Sequence, residues 1–216
     1  MAITKTPGTQ FAIGSTYGTQ FTITAISNAA SAVATLSASH GVIVGDFIEI
    51  SSGWDLLNGR VVRVSAVSTN DVTLEGINTT DTTKYPAGTG TGTGREITAW
   101  TTLSQITPAF AVSGGDQNFA DTTFVSNVIR TQIPTDRNPI SVTLPFFYDP
   151  TLAWFSTVQA ASSAGTPYAF RMIFPNNSRL VVGAYWSLRG VPTSEDGTLR
   201  DSIDLSFVGT PTVYST

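Results

Sequence analysis

The chain has 216 residues, only 12% of them charged, about half the usual share. Its net charge of −4 argues against gripping nucleic acid through phosphates, while 41% hydrophobic residues argue against a disordered tail. Zero Cys excludes disulfides and thiolate metal sites, and a single His excludes a His-rich metal centre.

Taken in chain order, residues 1–20 open with Lys5-Thr6-Pro7-Gly8 and lack an apolar h-region. No signal peptide is expected, and the stretch reads as a polar N-terminal arm. Five short β-branched runs follow: Phe21–Ile26, Val33–Leu36, Asp46–Ile50, Arg60–Val67 and Asp71–Glu75. Gly45-Asp46 and Asn58-Gly59 supply turn residues between them, so this stretch predicts a small β-barrel or sandwich. Residues 78–95, with Gly88, Gly90, Gly92 and Gly94 alternating with Thr, read as a flexible connector. No Gly-Lys-Ser/Thr follows these glycines, so a phosphate-cradling loop is not supported.

Strand signals resume over residues 96–106 and 139–148, with two weaker extended runs in 111–136 around Gly114-Gly115-Asp116. One helix is predicted at about 150–162. Asp149 offers an N-cap, Pro150 suits the first turn, Leu152, Phe155 and Val158 form an apolar stripe, and Gly165 ends it. Strands at Tyr168–Phe174, Arg179–Arg189 and Leu199–Val208 complete the chain, with a turn at Ser194–Gly197. The fold class is therefore mainly β, a sandwich or barrel with one α-helix, plus a small all-β module.

No catalytic constellation stands out. His40 lies in a Ser-His-Gly turn with no nucleophile elbow and reads as a structural loop histidine. Glu195 and Asp196 fall in a turn, and Asp201 and Asp204 point to opposite faces of one strand, so neither pair suits two-carboxylate chemistry. No enzyme activity, cofactor or metal is expected. The scarcity of Lys, two against nine Arg, resembles the depletion found in interface cores.

Two stretches resemble known phage proteins. Ile23–Ile50, with its His40-Gly41 and Gly45-Asp46, followed by Leu57-Asn58-Gly59-Arg60 and Asp71–Gly76, is similar to a small β module recurring in phage tail and baseplate proteins. Lys5–Gln10, Trp100–Thr107, the extended loop to Arg137, Tyr148-Asp149-Pro150 with its helix, and Asp196-Gly197 before Ile203–Pro211 resemble the tail tube protein of long-tailed, non-contractile phages. The resemblance implies a tube domain at 1–22 and 95–216, interrupted by a module at 23–94 displayed outside.

The implied function is structural: rings, commonly hexamers, stacked into a conduit for DNA entering the host bacterium. Six subunits giving about four strands each would make a barrel about 48 Å across at the backbone, wide enough for a duplex. The implied partners are ring neighbours and stacked rings of the same chain, a tape measure protein, a tail terminator and baseplate or tail-tip proteins. Double-stranded DNA would pass without tight binding, nothing would insert in a membrane, and assembly would take place in the host cytoplasm. Candidate inter-ring or inter-subunit contacts are Thr6, Pro7 and Gly8 in the arm, Gly114, Gly115, Asp116, Asn118, Phe119 and Asp121 in the long loop, and Arg137 at its end. The C-terminal tail 210–216 is a further stacking candidate. An alternative is a tail fibre or baseplate protein whose module binds host glycans, with Trp54 as its aromatic platform, although core packing suits Trp54 better.

Overall fold

The computed structural model describes residues 7–126 and 128–215. Seven strands come first: β1 (Gln10–Tyr17), β2 (Phe21–Ile26), β3 (Val33–Leu36), β4 (Phe47–Ser52), β5 (Arg60–Ser68), β6 (Asp71–Leu74) and β7 (Gly92–Leu103). Then follow β8 (Ala111–Ser113), β9 (Gln117–Asp121), β10 (Gln132–Arg137) and β11 (Ser141–Phe147). Helix α1 (Ala153–Ala164) precedes β12 (Tyr168–Ile173), β13 (Arg179–Leu188), β14 (Thr193–Glu195) and β15 (Thr198–Tyr214). The chain is mainly β with one helix, as the strand patterning predicts.

The first half closes into a six-stranded antiparallel barrel. Its order is β2-β3-β6-β5-β4-β7, and β7 pairs back onto β2. Closure satisfies every strand edge, which an open sheet of such short strands would leave bare. Inward residues Ile23, Leu36, Ile48, Ile50, Leu57 and Leu74 are fully buried inside it.

The Gly/Thr run is part of this barrel rather than a free connector. Gly90 and Gly94 are buried, whereas Thr91 between them is exposed. A Cβ on Gly90 would lie 2.9 Å from the Trp54 ring, one on Gly92 1.9 Å from the Ser51 carbonyl oxygen, and one on Gly94 2.5 Å from the Phe21 ring. Composition suggests flexibility, but steric exclusion explains these glycines.

Strand β7 continues out of the barrel. Its residues Phe21-paired Gly94 to Glu96 belong to the barrel, whereas Ile97–Leu103 pair with β1 in a second antiparallel sheet. That sheet runs β7-β1-β12-β13-β15-β11-β8, with β14 paired to β15. It curls towards itself: Ile106 bridges Phe146, and the Thr107 N–H donates to the Pro145 carbonyl at 2.8 Å. Phe11, Phe146, Phe170, Trp186 and Phe207 fill the interior, and α1 seals it with Trp154, Phe155, Val158 and Ala161.

Three sequence expectations need correction. The N-terminal arm is largely a central strand, because β1 lies between β7 and β12 and buries Phe11, Ala12 and Ile13. The C-terminal tail is not free either: Arg179–Val181 pair with Thr212–Tyr214 at the end of β15. There Tyr214 is buried, its hydroxyl accepts the Arg63 N–H at 2.9 Å, and Arg60 donates to Thr212 at 2.7 Å, fastening the barrel to the second sheet. Finally, the helix starts later than its signals suggest. Asp149 accepts from the N–H and hydroxyl of Thr151 in a local turn, and Leu152 takes the N-cap position without a side-chain cap. Gly165 ends the helix in the left-handed region, φ +63°, as expected.

Candidate assembly surface

The long loop between β8 and β11 builds the most unusual surface of the molecule. β8, at the edge of the sheet, pairs with Ser141–Thr143 of β11. Gly114 and Gly115 then take φ of +79° and +83°, and a Cβ on Gly114 would meet the Pro139 carbonyl oxygen at 2.0 Å. The reversal needs glycine at this position, and it swings β9 and β10 out as a separate two-stranded hairpin.

The hairpin root is held by polar contacts. The Gly115 N–H donates to the Asn138 carbonyl and the Asn138 N–H to the Asp116 carbonyl, both at 3.0 Å. The Asn118 amide donates to the Asn138 side chain at 3.1 Å, and Arg137 donates to the Gln117 side chain at 3.0 Å. Asp121 accepts the Thr123 N–H at 2.8 Å, and hydrogen bonds from Thr123 hold its carboxyl below the usual range.

Beyond the root the side chains turn apolar. Phe119 and Ile133 are exposed on the strands, and Phe124, Val125, Val128 and Ile129 stand in solvent at the tip. A solitary protein rarely shows so many large apolar side chains on one projection, which is the mark of an interaction surface. The loop at 111–136 is a stacking candidate from its sequence, and the named contacts lie at its root and at Phe119. The available signal for the tip was the two apolar pairs Phe124-Val125 and Val128-Ile129, set among polar residues with neither strand nor helix periodicity.

The candidate contacts therefore divide by place. Gly114, Gly115, Asp116, Asn118, Phe119, Asp121 and Arg137 come together in or at the root of the hairpin. Pro7 and Gly8 lie elsewhere, just before β1, with Gly8 facing Pro175. Thr6 lies outside the described residues.

Other candidates have structural work. His40 accepts the Val42 N–H on Nδ1 and sits 3.1 Å from the Thr69 carbonyl through Nε2. Trp54 is buried against Tyr85, and its indole N–H donates to the Pro86 carbonyl at 2.9 Å, so it presents no ring face to a glycan. Asp201 is buried, whereas Asp204 is exposed and accepts from Thr143 at 2.6 Å. Among the described residues no group of His, Asp and Glu is placed to hold a metal ion, and no helix is long and apolar enough to cross a membrane.

A cleft of about 660 Å³ lies where the barrel meets the second sheet, lined by Tyr17, Glu49, Asn58, Arg95 and Tyr185 among others. Arg95 contacts the Glu49 carboxylate at 2.9 Å and lies over the Tyr17 ring at 4.0 Å. Burial pushes the Glu49 carboxyl up, and the Arg95 charge and hydrogen bond only partly oppose it. A carboxyl with a raised folded pKa holds its proton more firmly folded than unfolded. Its stabilising contribution is present below the unfolded pKa and is lost as pH rises through the folded one. Glu49→Gln is expected to flatten this fall in stability, measured as urea midpoints from acid to neutral pH. A variant profile parallel to the parent's would refute the assignment.

Residues 52–216 match the family model of the phage tail tube protein. No curated protein matches the chain. Among solved structures, the anti-feeding prophage baseplate gives 8% identity and a TM-score of 0.38, over 54% of this chain and 85% of that one. The sheath–tube complex of an extracellular contractile injection system, in its extended state, gives 12% identity and a TM-score of 0.35, over 49% and 80%.

Proposed function

This chain belongs to the phage tail tube protein family and is thus a structural component of the virion tail, and on that premise we propose that its copies close into rings and stack into the hollow tube of a long-tailed, non-contractile phage. The observation that carries the reading is the hairpin at residues 116–137, rooted beside β11, whose large apolar side chains are exposed among the described residues. Six copies per ring would give the wall. DNA passes through on its way into the bacterium without being held, since tight phosphate binding needs Lys and Arg that this acidic chain does not supply in excess.

In this reading residues 1–22 and 95–216 form the tube domain, and the barrel at 23–94 stands on the exterior. The tube grows in the host cytoplasm around a tape measure protein and ends on a terminator at one end and baseplate or tail-tip proteins at the other. Electron microscopy of the purified protein tests the core of the proposal. Stacked rings with a central channel are expected. A particle that stays monomeric at every concentration and salt, and is absent from virion tails, would overturn it.

A further inference from the structure

The hairpin needs an acceptor, and the same chain carries one. An apolar pocket of about 230 Å³ opens beside the start of β1, lined by Pro7, Phe11, Ile106, Pro108 and Phe110, with Thr9 also on its wall. Its floor is firm, because Phe11 packs edge-on against Phe110 at 5.4 Å and against the buried core. It has room for a phenyl ring.

Position along β11 relates the two features. The hairpin leaves from Gly114 and Gly115, beside Pro139 and Ile140 just before the Ser141 end of β11. The pocket lies towards the other end, where Thr107 bonds Pro145 and Ile106 bridges Phe146. Five residue steps along the strand separate Ser141 from Phe146, roughly 17 Å. A prong at one end of β11 and a socket at the other suit a head-to-tail contact. Repeated from copy to copy, such a contact joins each subunit to the next.

We infer that the Phe124 side chain of one copy enters the Pro7–Phe110 pocket of the next, with Val125, Val128 and Ile129 spread over its rim. This rests on the tube reading and adds to it the acceptor surface. It also gives Pro7 a role, as a wall of the socket. The hairpin strands supply reach, since ten residues from Gly115 to Val125 span up to about 33 Å when extended.

The absence of cysteine makes the contact testable in the full chain. Val125→Cys and Thr9→Cys, introduced together, are expected to give an oxidised ladder of covalent multimers in assembled tubes, and each alone only background. Tubes that assemble without a ladder would overturn the contact while leaving the tube reading intact. A parent chain that forms no tube overturns the tube reading itself and this contact with it. As a second readout, Phe124→Glu is expected to slow polymerisation roughly tenfold or more with the monomer still folded. Unchanged growth would refute the insertion.

Discussion

Replacing Phe124, Val125, Val128 and Ile129 together by serine is expected to abolish polymerisation while leaving the fold of the monomer unchanged. The four side chains have relative exposures of 72, 108, 102 and 79%, so none contributes to either core. Exposed substitutions of this kind usually change stability by less than about 0.5 kcal/mol each, so four together stay within about 2 kcal/mol, a few degrees in melting temperature for a chain of this size. The hairpin strands keep their register, because Ile133–Ala120 and Pro134–Phe119 pair by backbone. Assembly responds differently. Apolar anchors that enter a partner carry most of an interface's affinity, and losing several at once removes far more than the about 1.4 kcal/mol that changes an equilibrium tenfold. Sedimentation should find only monomer, and circular dichroism should show a cooperative melting curve within a few degrees of the parent's. Normal tubes from this variant would remove the hairpin from the assembly surface.

Trp54→Ala is expected to produce the opposite pattern: a large loss of stability that starts in the barrel. Trp54 is 1% exposed, packs edge-on against Tyr85 at 5.2 Å and lies where Gly90 leaves room for its ring. Its indole N–H donates to Pro86 and Thr89, so the segment between β6 and β7 is anchored on it. Emptying such a site costs about 3–5 kcal/mol and should lower the melting temperature by about 10 °C. Limited proteolysis should then cut within residues 78–91 before the second sheet is attacked. Trp54→Phe retains the packing but loses the N–H, and should cost only about 1 kcal/mol more than the volume change. A parent-like melting curve for Trp54→Ala would show that the barrel does not depend on this cap.

Much of the fold was legible because its strands are short, β-branched and punctuated. Val33–Leu36 and Phe21–Ile26 have the same limits in structure as in sequence, since turns flank them and one face is buried. β1 was hidden for a physical reason. Gly14 and small residues dilute its alternation, and Gly14 sits close between neighbours, where a Cβ would lie 3.1 Å from Ile97 and 3.2 Å from Ala169. Periodicity reports side-chain burial, and a strand pressed closely between neighbours has few side chains to report with. The same holds for Gly90–Gly94. The hairpin root was legible from Gly114-Gly115, whereas the tip was not, because a residue awaiting another molecule has no partner in its own chain to set a pattern.

The continuity of β7 has a mechanical consequence. One covalent strand is a wall of the barrel at Gly92–Glu96 and a rib of the second sheet at Ile97–Leu103, unbroken between them. Tyr214, Arg60 and Arg63 lock the same junction from the other side. A pull on the barrel is therefore taken as shear along the ladder between β7 and β1, where many hydrogen bonds share the load. The barrel behaves as a bracket welded to the sheet, and a load on one is felt by the other without slack.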